Sequence, residues 1–280
     1  MIPAIKKDEA LIDEVHHFEN DAACFHLWWL GQSGYLLAWK GKKILIDPYL
    51  SDSLTAKYAD TNKPHIRMSE LVVRPELLTG ISIVSSSHNH TDHLDAATLI
   101  PIIQNNPGIS FIIPEANRQF VAERVKIAAG YPLGLDDATS VTVDDFTFYG
   151  IAAAHNAPDR DEAGRYKYLG YIIRFGKWTI YHSGDTLWYE GLEKKLAEFS
   201  IDLALLPING NDPARGVAGN LNTDEAVLLA KAAGIRHVIP CHYDMFTFNT
   251  ADPALFAAKA ESLGQSYAIL APGERWSYEL

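Results

Sequence analysis

Three histidines and an aspartate fall within six residues of one another, in Ser87-His88-Asn89-His90-Thr91-Asp92-His93-Leu94-Asp95, directly after the short apolar run 81–85. Imidazole nitrogen and carboxylate oxygen are the ligand types that suit zinc, manganese or iron. In extended backbone His88 and His90 face the same way. Asp92 and His93 lie where the chain turns toward a helix expected over 94–104, so they can aim at a neighbouring position. One segment could then serve two cations at once. The plainer alternative is a loop of solvated surface histidines. It does not explain why four ligand-type side chains gather at a strand end, where sites form in α/β sheets.

Further ligand types stand in the same relation to other strands. The apolar alternation predicts strands over 25–30, 35–40, 43–46, 109–113, 146–153, 169–175, 178–182, 203–208 and 237–240. His155 follows one of them, Asp185 follows another in His182-Ser183-Gly184-Asp185, and His242 follows a third in Pro240-Cys241-His242. Each alone reads as a packed histidine or an aspartate in a glycine turn. Their common position makes a converging set the better reading. Cys241 neighbours His242 in a strand, so it should face away from such a set. Trp28 and Trp29 should likewise face opposite ways.

Helices are expected over 8–20, 94–104, 115–129, 187–199, 223–233 with Asn222 as N-cap, and 253–263. Residues 50–79 read as irregular, and a connection that long suits a lid or substrate segment. Early hairpins followed by alternating helices and strands indicate a layered protein with mixed sheets. No repeat or linker-like run divides the chain, so a single domain over 1–280 is expected.

Composition narrows the partners. The 24 basic and 35 acidic residues give a formal charge of -11. That argues against an extended nucleic-acid surface, which needs basic side chains. A small anionic substrate stays open, because bound cations reverse the local field. The apolar runs are far shorter than the ~20 residues of a membrane-spanning helix. No apolar segment follows Lys6-Lys7, and the two cysteines suit a reducing compartment, so a cytoplasmic protein is expected, with self-association left open.

The set formed by His88-x-His90-x-Asp92-His93, then His155, Gly184-Asp185 and His242, resembles the metallo-β-lactamase superfamily, with Asp47 in Leu45-Ile46-Asp47-Pro48 matching its early aspartate. Trp28-Trp29-Leu30-Gly31, Tyr181-His182-Ser183-Gly184-Asp185, Ile201-Asp202-Leu203-Ala204-Leu205 and Val238-Ile239-Pro240-Cys241-His242-Tyr243-Asp244 are most similar to the branch containing L-ascorbate-6-phosphate lactonase. The resemblance implies an α+β protein, an αβ/βα four-layer sandwich of two mixed sheets flanked by helices. It implies two divalent ions, zinc or manganese most readily and iron as a third choice. His88, His90 and His155 would hold one, Asp92, His93 and His242 the other, with Asp185 between them. Two departures matter. The lactonase carries a carboxylate where His155 stands. Familiar β-lactamases carry cysteine where Asp185 stands, which speaks against β-lactam hydrolysis.

From this follows an expected activity: a metal-dependent hydrolase whose metal-bridging hydroxide opens a lactone or carboxylic ester of an anionic small molecule. Asp92 and Asp185 are the catalytic candidates, with Asp92 helping to protonate the leaving group. A small-molecule phosphodiesterase on the same site and a non-catalytic metal sensor are the alternatives. Asp47, His182, His65, Arg67 and Arg215 are the further candidates, either supporting a ligand or touching substrate.

Overall fold

The computed structural model describes residues 1–212 and 219–278. Among them, helix α1 (Glu9–Phe18) precedes a three-stranded antiparallel ribbon, β1 (Phe25–Gly31), β2 (Gly34–Trp39) and β3 (Lys42–Ile46). After the short helix α2 (Ser53–Tyr58) come β4 (Ile83–Ser85), α3 (Ala96–Asn105), β5 (Ser110–Pro114), α4 (Arg118–Val125) and β6 (Leu133–Leu135). The chain then builds β7 (Ser140–Val143), β8 (Phe146–Ala152), β9 (Leu169–Phe175) and β10 (Trp178–His182) as a second antiparallel run. It continues through α5 (Leu192–Ala197), β11 (Leu203–Pro207), α6 (Thr223–Ala232), β12 (His237–Cys241), α7 (Pro253–Ser262), β13 (Ser266–Tyr267) and β14 (Arg275–Tyr278).

The strands form two mixed sheets, in the orders β14-β1-β2-β3-β4-β5-β6 and β13-β12-β11-β10-β9-β8-β7. Each passes from antiparallel to parallel pairing where helices begin to intervene, because a parallel neighbour needs a crossover and a hairpin does not. The alternation along β1 explains the layering. Leu27 and Trp29 point into the core shared with the second sheet, beside Phe148, Ile172 and Leu205. Trp28 and Leu30 point the other way, against Leu11 and Val15 of α1 and Leu99 and Ile102 of α3. Both faces are covered, so the strand is apolar throughout, and the two tryptophans do diverge. Helices α5, α6 and α7 cover the far face of the second sheet through Leu192, Val227 and Phe256. This is the four-layer α+β sandwich that the resemblance implied.

Several elements depart from expectation for local reasons. The helix over 115–129 opens as a 3-10 turn over Glu115–Asn117, continues as α4 and stops early, since Lys126 takes a left-handed conformation and ends it. The helix over 187–199 shrinks to α5. Its first residues are held by longer-range bonds instead, with the Leu187 amide donating to Ala154 and the Tyr189 hydroxyl to Ala152. Residues 50–79 contain α2 and are partly core, with Val72, Val73 and Leu78 buried. Strands β6, β7, β13 and β14 carried too little apolar patterning to be expected; in β7 burial merely alternates between exposed and half-buried. Asn222 caps α6 as expected: its side chain accepts from Glu225 N while Glu225 accepts from Asn222 N. No helix among the described residues is long and apolar enough to cross a membrane.

Candidate metal centre

The loops that follow β1, β3, β4, β8, β10 and β12 meet at one edge of the two sheets. Most of them turn through a residue with positive φ: Gln32, Asp47, Asn156, Gly184 and His242. Non-glycine residues adopt that conformation at a cost, and it gathers at functional sites. Here it is what swings each side chain from its strand toward a common centre. The two sheets are joined at the same place, where Leu169 N donates to Ser87 O and the Tyr171 hydroxyl donates to Ser86 O.

The sequence cluster closes on itself as a turn, with the amides of His93 and Leu94 both donating to His90 O. Asp95 then caps α3 by accepting from Thr98 N. His93 Nε2 lies 3.3 Å from Asp185 Oδ1 and 3.6 Å from Asp92 Oδ2. His242 Nε2 lies 3.5 Å from both carboxylates. His88 Nε2 stands 4.0 Å from Asp185 Oδ2. The rings of His90 and His155 pack edge to face at 4.7 Å. Ligand atoms group compactly as His88–His93–Asp185, His90–His155–Asp185 and Asp92–His93–His242, each set within 4.8 Å. All seven expected side chains are thus brought together, and Asp185 belongs to two of the groups.

Charge explains what such a centre needs. Burial opposes ionisation of Asp185, but His93 and His242 outweigh it and hold the carboxyl well below its ordinary range. Asp92 is held low in the same way, chiefly by His93 against its burial. In return burial opposes charge on His93 and His242, and Asp185 prevails: His93 rises well above its usual value and His242 to about 9. His88, buried and facing other histidines, is pushed well below its usual value. Asp92 and Asp185 are thus carboxylates whose charge must be balanced by positive charge close by. Divalent cations would supply it. His88 Nε2 is buried without a hydrogen-bond partner, and His93 Nε2 and Asp185 Oδ1 have no nearer partner than each other, at 3.3 Å. Buried polar atoms are normally satisfied, so an unpartnered imidazole nitrogen within a converging set of ligand-type atoms fits a bound metal.

The remaining candidates divide. Asp47 lies behind the cluster: its Oδ2 is 2.6 Å from His93 Nδ1, it accepts from Ser87 N, and the Ser87 hydroxyl donates to it. A carboxylate only accepts, so His93 Nδ1 carries the proton and Nε2 is turned to the centre. His65 reaches the cleft, stacked on Tyr58 at 4.4 Å. His182 does not reach it. It is fully buried between the sheets, with Nε2 3.1 Å from Ser33 O, so it meets no substrate. Arg67 does not reach it either, because its guanidinium is consumed by Asp52, Ser51 O and Met245. Arg215 lies outside the described residues. Cys241 faces Ser33 Oγ at 3.8 Å, away from the cluster, and burial pushes its thiol far up.

Two contributors escaped sequence reasoning. Gln32 reads as a hairpin turn, yet its Nε2 donates to Asp92 Oδ2 at 2.8 Å and its backbone carbonyl accepts from His242 N. Tyr168 lays its ring beside His88, His90 and His155. Two glycines let the backbone close in. A Cβ on Gly219 would lie 1.4 Å from His155 Nδ1, and one on Gly184 would lie 2.7 Å from Ser87 Cβ.

Above the cluster opens a cleft of about 430 Å³, bordered by Lys57, Tyr58, Lys63, Phe120, Arg124 and Phe248 as well as the ligand-type residues. Arg124 ties α4 to the ligand turn by donating to Asn89 O and Leu94 O.

Comparison with known proteins agrees with this geometry. A family model described as a beta-lactamase superfamily domain matches residues 42–243. A UPF0173 metal-dependent hydrolase of Pyrococcus furiosus is 30% identical over 238 residues, covering 83% of this chain and 91% of the relative. Among solved structures, a metallo hydrolase of Ignicoccus hospitalis is 24% identical with a TM-score of 0.65, covering 92% of this chain and 99% of its own. An isothiocyanate hydrolase from Delia radicum gut bacteria has the same fold, with a TM-score of 0.72 at 21% identity over 90% of this chain and 99% of its own.

Proposed function

The chain belongs to the metallo-β-lactamase superfamily, within the UPF0173 family of metal-dependent hydrolases, and from that premise we propose that it opens a lactone or another carboxylic ester of a small anionic molecule. The observation that carries the reading is the convergence of seven ligand-type side chains below a cleft edged with cations.

His88, His90 and His155 would hold one divalent ion, and Asp92, His93 and His242 a second, with Asp185 within reach of both. Zinc and manganese suit this nitrogen and oxygen set, as does iron. When bound, such a pair acidifies a water and polarises the scissile carbonyl. The protein's own residues do the rest. Asp47 fixes the orientation of His93. Gln32 holds Asp92, whose ionised carboxylate would take the proton lost by the attacking water and hand it to the departing alkoxide. Lys57 and Lys63 face the cleft mouth and draw in negative charge. The flanking rings of Tyr58, Phe120 and Phe248 supply the apolar walls.

The same cations would suit the charge of a phosphodiester, so the test separates the two. Purified protein is offered a panel of lactones and esters, with and without an anionic group, beside bis(4-nitrophenyl) phosphate. Turnover of anionic lactones or esters ahead of their neutral counterparts is expected. Turnover of the phosphodiester alone overturns the ester reading, and metal binding with no turnover of either class favours a sensor.

A further inference from the structure

A second group of ligand-type side chains lies at the other end of β1. Asp21, Cys24 and His26 stand there, and Gln32 at the cleft is six residues from His26, roughly 15–20 Å along the strand. Cys24 Sγ is 3.2 Å from Asp21 Oδ2 and 3.6 Å from His26 Nε2. His26 Nε2 is 3.2 Å from the same Asp21 oxygen. A tetrahedral zinc ion with bonds of ~2.3 Å to sulfur and ~2.0–2.1 Å to nitrogen or oxygen sets its ligands roughly 3.3–3.5 Å apart. The three atoms already stand as three corners of that figure.

The surroundings prepare each donor. Asp21 Oδ1 accepts from the amides of Ala23 and Cys24, so the loop itself turns Oδ2 toward the other two groups. His26 is only 2% exposed, and its Nδ1 lies 2.8 Å from Ser277 Oγ on β14. A contact on the far ring nitrogen is how ligating histidines are oriented. Burial shifts the His26 imidazole below its usual value, while hydrogen bonds from Cys24 and Ala23 hold the Asp21 carboxyl at about 2. Arg275 approaches Nδ1 at 3.2 Å and opposes added positive charge. The same Arg275 nitrogen donates to Ser277 Oγ, and the guanidinium lies over the Phe18 ring with Glu14 3.8 Å away. The Asp21 side chain is 33% exposed, which leaves the fourth corner to water.

We propose that Asp21, Cys24 and His26 bind one zinc-class divalent ion, at a site separate from the cleft. The ion would pin the loop after α1 to β1 and, through Ser277, to β14. Its role is to hold the chain's two ends onto the first sheet. Imidazole, carboxylate and thiolate together favour zinc over magnesium or calcium.

Cobalt is the probe, because it takes the same ligands and a thiolate gives it a charge-transfer band. No cysteine borders the cleft, so the band reports this site alone. The full chain, stripped of metal and kept reduced, is titrated with cobalt. The expected result is a thiolate band whose final amplitude corresponds to one cobalt per chain, reached by about three added equivalents because the cleft takes up two more. It should vanish in Cys24→Ser and need at least tenfold more cobalt in Asp21→Asn. Zinc should raise Tm in the parent by more than in Cys24→Ser, and hydrolysis at the cleft should be unchanged in that variant. A parent that shows no thiolate band, or a band that survives Cys24→Ser, overturns the proposal.

Discussion

The floor of the cleft and its rim are built on opposite terms. On the floor, Asp47, His88, His93 and His242 are all 1% exposed or less, and each is tied to a strand end by short bonds. The rim comprises Lys57, Tyr58, Lys63, His65 and Phe248, drawn from α2, the loop after it and the turn beyond β12. Its contacts are stacked rings and cations over rings, such as Lys63 Nζ at 5.8 Å from the Phe248 ring and Lys57 Nζ at 5.1 Å from Tyr58. The difference teaches where chemistry and selectivity reside. A floor that must hold buried charge tolerates no freedom. A rim that only selects can be exchanged loop by loop.

His90 tests that division most severely, since it is exposed, unlike the rest of the floor, yet grouped with His155 and Asp185. His90→Ala is expected to abolish turnover and lower metal content; full activity with unchanged metal would place it on the rim. Next in size is Asp47→Asn, which leaves the cluster intact but loosens His93. Metal affinity or turnover should fall about 10–100-fold, read by metal titration, and an unchanged affinity would mean the contact only packs. Gly219→Ala forces a left-handed alanine against the His155 ring. It should cost about 1–2 kcal/mol in stability from the backbone alone, with a loss of turnover that Gly219→Ala shares with His155→Ala. Equal activity to the parent would mean that the ring has room to move. The smallest effect belongs to the rim. Lys57→Gln with Lys63→Gln should raise KM for anionic substrates a few-fold, leave kcat and neutral substrates alone, and change stability by no more than about 0.5 kcal/mol. Equal changes for charged and neutral substrates would remove these lysines from substrate selection.

The same contrast decides what could be read from the sequence. The floor was legible because its residues share a local rule: each ligand type follows an apolar strand. The sheets were legible for the same reason, since buried strands such as β9, β10 and β11 are continuous apolar runs. Gln32 and Tyr168 were not, because their importance lies in contacts with His242 and His155, far away in the chain. Arg67 misled in the other direction. Its place in the segment over the cleft suggested substrate, but three local acceptors claim the guanidinium. His182 misled similarly: proximity to Asp185 in sequence put it near the site, while strand alternation turned it into the core.

Metal content is the most direct test of the central claim, that the floor residues converge to hold cations. It is measured by elemental analysis of protein purified without added metal, in a Cys24→Ser background so that the outer triad adds nothing. The account predicts close to two equivalents of transition metal per chain, lost when Asp185→Asn is added. Substoichiometric metal in the first protein, or equal metal in both, would contradict it.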